Sequence, residues 1–106
     1  MDKWVLQIIN VENWEHVFTM IENSIGKRDI KVVALGPAVV PLFAQGNLRS
    51  SVEDLISKGL KLEICSVSIK KAGLTSATPP KGATLKPGLV AISDDVKEGY
   101  LYFAIG

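Results

Sequence analysis

Short apolar runs alternate along the chain with longer stretches whose apolar residues recur every three or four positions. "WVLQIIN" (residues 4–10) is apolar throughout most of its length, the pattern of a strand buried on both faces. In residues 10–26, Val11, Trp14, Val17, Phe18, Ile21 and Ile25 fall at helical spacing, with Asn10 placed as an N-cap and Gly26 as the closing residue. "DIKVVALG" (29–36) reads as a second buried strand. It ends at Gly36-Pro37, where proline suits a first helical position. Pro41 has no N–H to donate, so residues 37–47 are predicted as a short helical turn, a kink and irregular chain. Ser50 and Glu53 have capping-box spacing and Gly59 a closing role, which predicts a helix over 50–59.

"LKLEICS" (60–66) is the third predicted strand, followed by a helical turn over 68–73. Residues 74–87 have no periodicity and are rich in Pro, Gly, Ser and Thr, which predicts a loop. "GLVAIS" (88–93) reads as a fourth strand. A short helix then follows, with Ser93 as its cap and Asp94 and Asp95 in its first turn. "YLYFAIG" (100–106) is the last strand. The resulting order, β-α-β-α-β-α-loop-β-α-β, predicts an α/β fold with a mainly parallel sheet and helices on both faces. Only two of these helices are long enough to cover much sheet, so another copy of the chain is expected to cover the rest. An unpaired edge as apolar as residues 100–106 would invite aggregation.

Composition narrows the picture. At 106 residues the chain makes one domain, residues 1–106. It is 47% hydrophobic with a net charge of +1, which gives no bulk field toward nucleic acid or membrane. The longest apolar stretch, 32–44, is shorter than a membrane span and is broken by Gly36, Pro37 and Pro41. The opening residues carry no signal-peptide pattern. A single cysteine rules out an internal disulfide and any Cys-x-x-Cys pair, in keeping with a reducing cytoplasm. The expectation is a cytoplasmic protein with no nucleic-acid or membrane partner.

The candidate chemistry centres on that cysteine. Open parallel sheets bind ligands at the carboxyl ends of their strands, which here are Asn10, Gly36-Pro37, Cys65-Ser66 and Ser93. Cys65 also precedes a helical turn, whose amides at Ser66 to Ser68 can stabilise a thiolate; Lys70 and Lys71 would act the same way if they face it. Two readings of Cys65 stay open. It packs as a small hydrophobe, or it works as a nucleophile. Strand alternation sets it on the more polar face, with Lys61 and Glu63, which favours access. His16, the only histidine, lies on a polar helix face and reads as a surface residue. One Cys and one His build neither a Ser-His-Asp triad nor a histidine-rich metal site. Asp94 and Asp95 read as helix N-terminal charges. Lys70, Lys71, Lys81 and Lys86 gather around the loop, either as solvated surface or as an anion-attracting rim.

Three segments carry a family resemblance: "KVVALGPAV", "VEDLISKGLKLEICSVSIKKAGL" and "LKPGLVAISDDVKEGYLYFAIG". Together they resemble the short, mostly uncharacterised branch of the DsrE/DsrF-like family of small sulfur-relay proteins. The matching positions are Gly36, Pro37, Gly59, Cys65, Gly73, Pro87, Gly88, Gly99, Tyr100 and Tyr102. The resemblance implies a three-layer α/β/α fold with a five-stranded parallel sheet, assembled as a trimer or hexamer. It also implies that Cys65 carries sulfane sulfur as a persulfide, exchanged with a donor or acceptor protein, without cofactor or metal. The pocket would be lined by Asn10, Gly36, Pro37, Ser66 and Ser68. The alternative is a non-catalytic module that binds a small anion or metabolite and in which Cys65 only packs.

Overall fold

The computed structural model describes residues 2–106. Strands β1 (Lys3–Ile8), β2 (Asp29–Ala34), β3 (Lys61–Cys65), β4 (Thr84–Lys86) and β5 (Leu101–Ala104) form one sheet in the order β4-β3-β2-β1-β5. Every neighbouring pair is parallel. Helices α1 (Asn13–Ser24), α2 (Asn47–Ser57), α3 (Ser66–Lys71) and α4 (Gly88–Lys97), with a 3-10 segment at Gly36–Phe43, connect the strands. The fold is therefore α/β with an all-parallel five-stranded sheet.

Successive strand residues face opposite sides, and the two sides are unequally covered. Leu6, Ile8, Ile30, Val32, Leu62 and Ile64 point into the main core under α1, α2, α3 and the 3-10 segment. Fully burying each such side chain contributes about 1.5–3 kcal/mol relative to leaving it exposed. Trp14 joins this core, and its indole N–H donates to the Ala38 carbonyl at 3.0 Å, tying α1 to the 3-10 segment. The opposite face has one helix. There Val5 and Val33 meet Ala91 of α4 and Tyr100 in a small second core, with Leu35 and Ile92 packed at its margin.

Three sequence expectations need correction. Residues 88–93 are not a strand: they open α4, whose buried residues Gly88, Ala91 and Asp95 recur at helical spacing. The fourth strand is Thr84–Lys86, inside the predicted loop, and three residues are too few for periodicity to register. Ser93 consequently lies within α4 rather than at its start or at a strand end, and Asp94 and Asp95 sit in its second half. Likewise α2 begins at Asn47, and the Ser50 amide bonds the Gly46 carbonyl within the first turn, so Ser50 is no cap. Its supposed box partner, Glu53, accepts the Lys81 amide at 2.8 Å instead. Finally, α1 starts at Asn13, and it is the Asn13 side chain that accepts the Asn10 amide, at 3.1 Å.

Pro41 is accommodated because residues 36–43 wind as 3-10 helix, opened by Pro37 near the start of the segment, with irregular chain following to Asn47. Gly26 and Gly59, at φ +84° and +117°, close α1 and α2 as their spacing predicted.

Candidate functional site at Cys65

Cys65 ends β3 and caps α3. Its Sγ accepts the Ser68 backbone N–H at 3.4 Å and the Gly88 backbone N–H at 3.3 Å. The thiol thus lies where the N-termini of α3 and α4 converge, and both helix dipoles favour negative charge there. The Ser68 hydroxyl accepts the Gly36 N–H at 2.8 Å, and it favours the anionic form of the thiol. Gly36 therefore acts on the site through Ser68. Gly88 has a steric role as well: a Cβ there would overlap the Leu35 side chain and lie 3.3 Å from the Cys65 Cβ. Only glycine lets the first amide of α4 come this close.

These contacts set the charge of the thiol. Burial, the largest influence, pushes it up. The Ser68 hydroxyl and the Ser68, Gly88 and Val67 amides together outweigh burial and hold Cys65 below the ordinary thiol range. The leading influences on the thiol are burial and these hydrogen-bond donors, not a lysine. Lys86 is paired with Asp94 at 2.8 Å, and Lys71 lines a neighbouring cavity.

Access is narrower than strand alternation suggested. Cys65 is 5% exposed, because the N-terminus of α4 covers the face that the sequence marked as polar. The thiol nevertheless lines a cavity of about 270 Å³ with Leu35, Val67, Pro87, Gly88 and Leu89. This wall is apolar. Next to it, Gly36, Pro37, Val40, Ser68 and Lys71 line a second cavity of about 350 Å³.

The structure thus brings together Cys65, Gly36, Pro37 and Ser68 of the expected site. Ser66 is half-buried as the first residue of α3. Asn10 is exposed and lines neither cavity, its amide being taken by Asn13. His16 is exposed on α1. Among the described residues no cluster of three or more His, Cys, Asp or Glu could hold a metal ion. Also among the described residues, no helix is long and apolar enough to cross a membrane. A larger cavity, about 530 Å³, lies away from the thiol at the start of α2. Its Arg49 is already committed to the carbonyls of Leu42, Thr78 and Pro79.

Two features of the site escaped sequence reasoning. Gly88 was hidden by the strand pattern of "GLVAIS", although Pro87 followed by glycine is a helix-opening signal. The other is a charged cluster on the same side of the sheet. Lys31 donates to Asp95 Oδ1 at 2.6 Å, and Glu63 is buried close to the same carboxylate. Glu63 is 6% exposed and Asp95 1%. Burial first, then the hydrogen bond and negative charge of Asp95, push the Glu63 carboxyl up to about 7, against the opposing pull of Lys31 and Lys86.

No family model matches the chain, and no curated protein matches it in sequence. Solved structures do. A protein of unknown function from Methanobacterium thermoautotrophicum, MTH1491, superimposes with a TM-score of 0.86 at 19% identity, over 98% of this chain and 99% of that one. BT1422, a conserved protein of unknown function from Bacteroides thetaiotaomicron, gives 0.82 at 16% identity, over 97% and 94%. The YchN protein of E. coli gives 0.78 at 14% identity, over 98% and 99%. Matches at such identity establish a shared fold along the whole chain.

Proposed function

We propose that this protein is a DsrE/DsrF-like sulfur carrier that holds sulfane sulfur as a persulfide on Cys65. The observation that supports this most is the pair of amides, Ser68 and Gly88, aimed at Sγ from two helix N-termini beside an open cavity. A thiolate is the nucleophile of sulfur chemistry, and such donors favour the anionic form of both thiol and persulfide. In the step, the Cys65 thiolate attacks the outer sulfur of a donor persulfide R–S–SH. The Cys65 S–S bond forms as the donor S–S bond breaks, and R–S⁻ leaves with the electron pair of the broken bond. No net oxidant is needed, because the sulfane sulfur moves at constant oxidation level.

The chemistry requires a free thiol, so the compartment is a reducing one, the cytoplasm. Donor or acceptor proteins would approach over the apolar rim of the cavity, where Val67 and Leu89 are exposed. We further propose a homo-oligomer, a trimer or hexamer. β5 is an edge strand on which Leu101, Tyr102 and Phe103 are all exposed, and the face carrying α4 leaves Leu89 and Val90 uncovered. Sedimentation at micromolar concentration checks this; a single monomeric species would exclude it.

The test of the chemistry is direct. Incubation with a sulfane-sulfur donor is expected to add one sulfur to Cys65 by intact-protein and peptide mass spectrometry, and Cys65→Ser to abolish the adduct. The burial of Cys65 favours a second reading, a binding module in which the thiol only packs. No adduct, with alkylation no faster than that of a model thiol peptide at neutral pH, would establish that reading in place of the first.

A further inference from the structure

Beneath the thiol, on the α4 side of the sheet, lie two acids whose arrangement neither packing nor surface charge explains. Glu63 Oε1 and Asp95 Oδ2 are both buried and lack any other hydrogen-bond partner. Both acids stand by the Lys31–Asp95 ion pair, and Asp95 acts on the Glu63 carboxyl at close range. Two carboxylates cannot meet in this way unless a proton stands between them. Lys31 bonds Asp95 Oδ1, which leaves Glu63 as the acid placed to donate the proton. With one proton the trio Lys31, Asp95 and Glu63 is neutral, and every facing oxygen has a partner.

This cluster is mechanically connected to the thiol. Glu63 and Cys65 are two residues apart on one face of β3. Asp95 belongs to α4, the helix whose first amide, Gly88, bonds Sγ. We propose that the proton shared by Glu63 and Asp95 clamps α4 to β3, so that Glu63 is a positioning residue for the Cys65 thiolate. Loss of the proton would set two carboxylates against one lysine, push α4 away from β3 and draw the Gly88 amide off the sulfur. It would also add a negative charge two residues from the thiol, opposing its ionisation.

The other charges around the clamp are accounted for. From β4, Lys86 attracts Glu63 but is paired with Asp94 of α4. Tyr100 packs its ring 4.7 Å from Lys31 and gives its hydroxyl proton to Asp29, which also holds Lys61. Lys3 lies 5.4 Å over the same Tyr100 ring and donates to the Glu98 carbonyl. Among the described residues, Lys31, Lys61 and Lys86 each already pair with a carboxylate.

The inference rests on Cys65 being the reactive group of the proposed function, whatever it reacts with. The first measurement needs no variant: a carbon-13 titration of side-chain carboxyls in the full chain. Glu63 is expected to titrate near neutrality, and a midpoint in the ordinary carboxylate range would overturn the proposal. The second is the rate of Cys65 alkylation by iodoacetamide from pH 5 to 10. Wild type is expected to show two ionisations. Glu63→Gln keeps a donor to Asp95 but cannot ionise. It should show one ionisation and react about threefold to tenfold faster at pH 8, the effect of half to one pKa unit on the thiol. Glu63→Val, which removes the donor, should slow the reaction below about pH 7, where wild type holds the clamp. A Glu63→Gln profile that superimposes on wild type would refute the clamp. Iodoacetamide needs no sulfur donor, so failure of the sulfur chemistry would leave both measurements readable.

Discussion

At Gly88 a single methyl group tests both the packing and the electrostatics of the site. Gly88→Ala must push Leu35 aside, because the added Cβ overlaps its side chain. The expected cost is about 1–3 kcal/mol in urea denaturation, the usual penalty for overpacking. The same displacement moves an amide off Sγ, so thiolate absorbance should titrate at higher pH than in wild type. Ser68→Ala removes a smaller element of the same cradle. It keeps the backbone N–H at 3.4 Å but deletes the hydroxyl that links Gly36 to the thiol. The thiol should again titrate higher, with a stability loss of about 1 kcal/mol. Cys65 was legible as a residue at a strand end before a helical turn, since both facts are local. The amide from residue 88 was not, because it comes from 23 positions away.

Among the elements, the 74–87 segment shows how a loop without periodicity becomes ordered. Arg49 of α2 donates to Thr78 at 2.8 Å and to Pro79 at 3.0 Å, and Glu53, one turn on, accepts the Lys81 amide. These bonds hold the segment against α2 and let Thr84–Lys86 pair with β3. Arg49→Ala should leave α2 intact and free the loop. Limited proteolysis within residues 74–87 is expected to accelerate, with about 2 kcal/mol lost overall, the usual size for hydrogen bonds to a charged group. Unchanged cleavage would show that the loop is ordered by other means. The same elements explain the misread strand. "GLVAIS" has β-branched apolar residues, but Leu89 and Val90 are exposed, 78% and 50%. Their hydrophobicity was read as burial within the sheet, whereas in the monomer it faces outward.

For the molecule as a whole, stability should depend on pH in a defined window. Glu63 is raised from 4.5 to about 7 on folding. Between those values the folded state holds a proton that the unfolded state has lost. Its contribution is thus fully present below pH 4.5 and is lost as pH rises through 7. The size is on the order of 3 kcal/mol. Urea denaturation should show stability falling from pH 4.5 to 7 and flattening above, with the slope removed in Glu63→Gln. Asp29 acts in the opposite sense at lower pH. Burial raises it, but Tyr100 and Lys61 outweigh this and lower it, so its contribution is lost only as acid protonates it below the ordinary range. The alternation of strands and helices and the parallel sheet were both readable from the chain, because each follows from local periodicity. Local pattern also put Cys65 at the carboxyl end of its strand. Whether that thiol is covered, what bonds it, and why two acids lie buried next to a lysine were decided by tertiary structure alone. Burial and pairing of charge depend on which distant residues share a face, and α4 is the element that brings them together here.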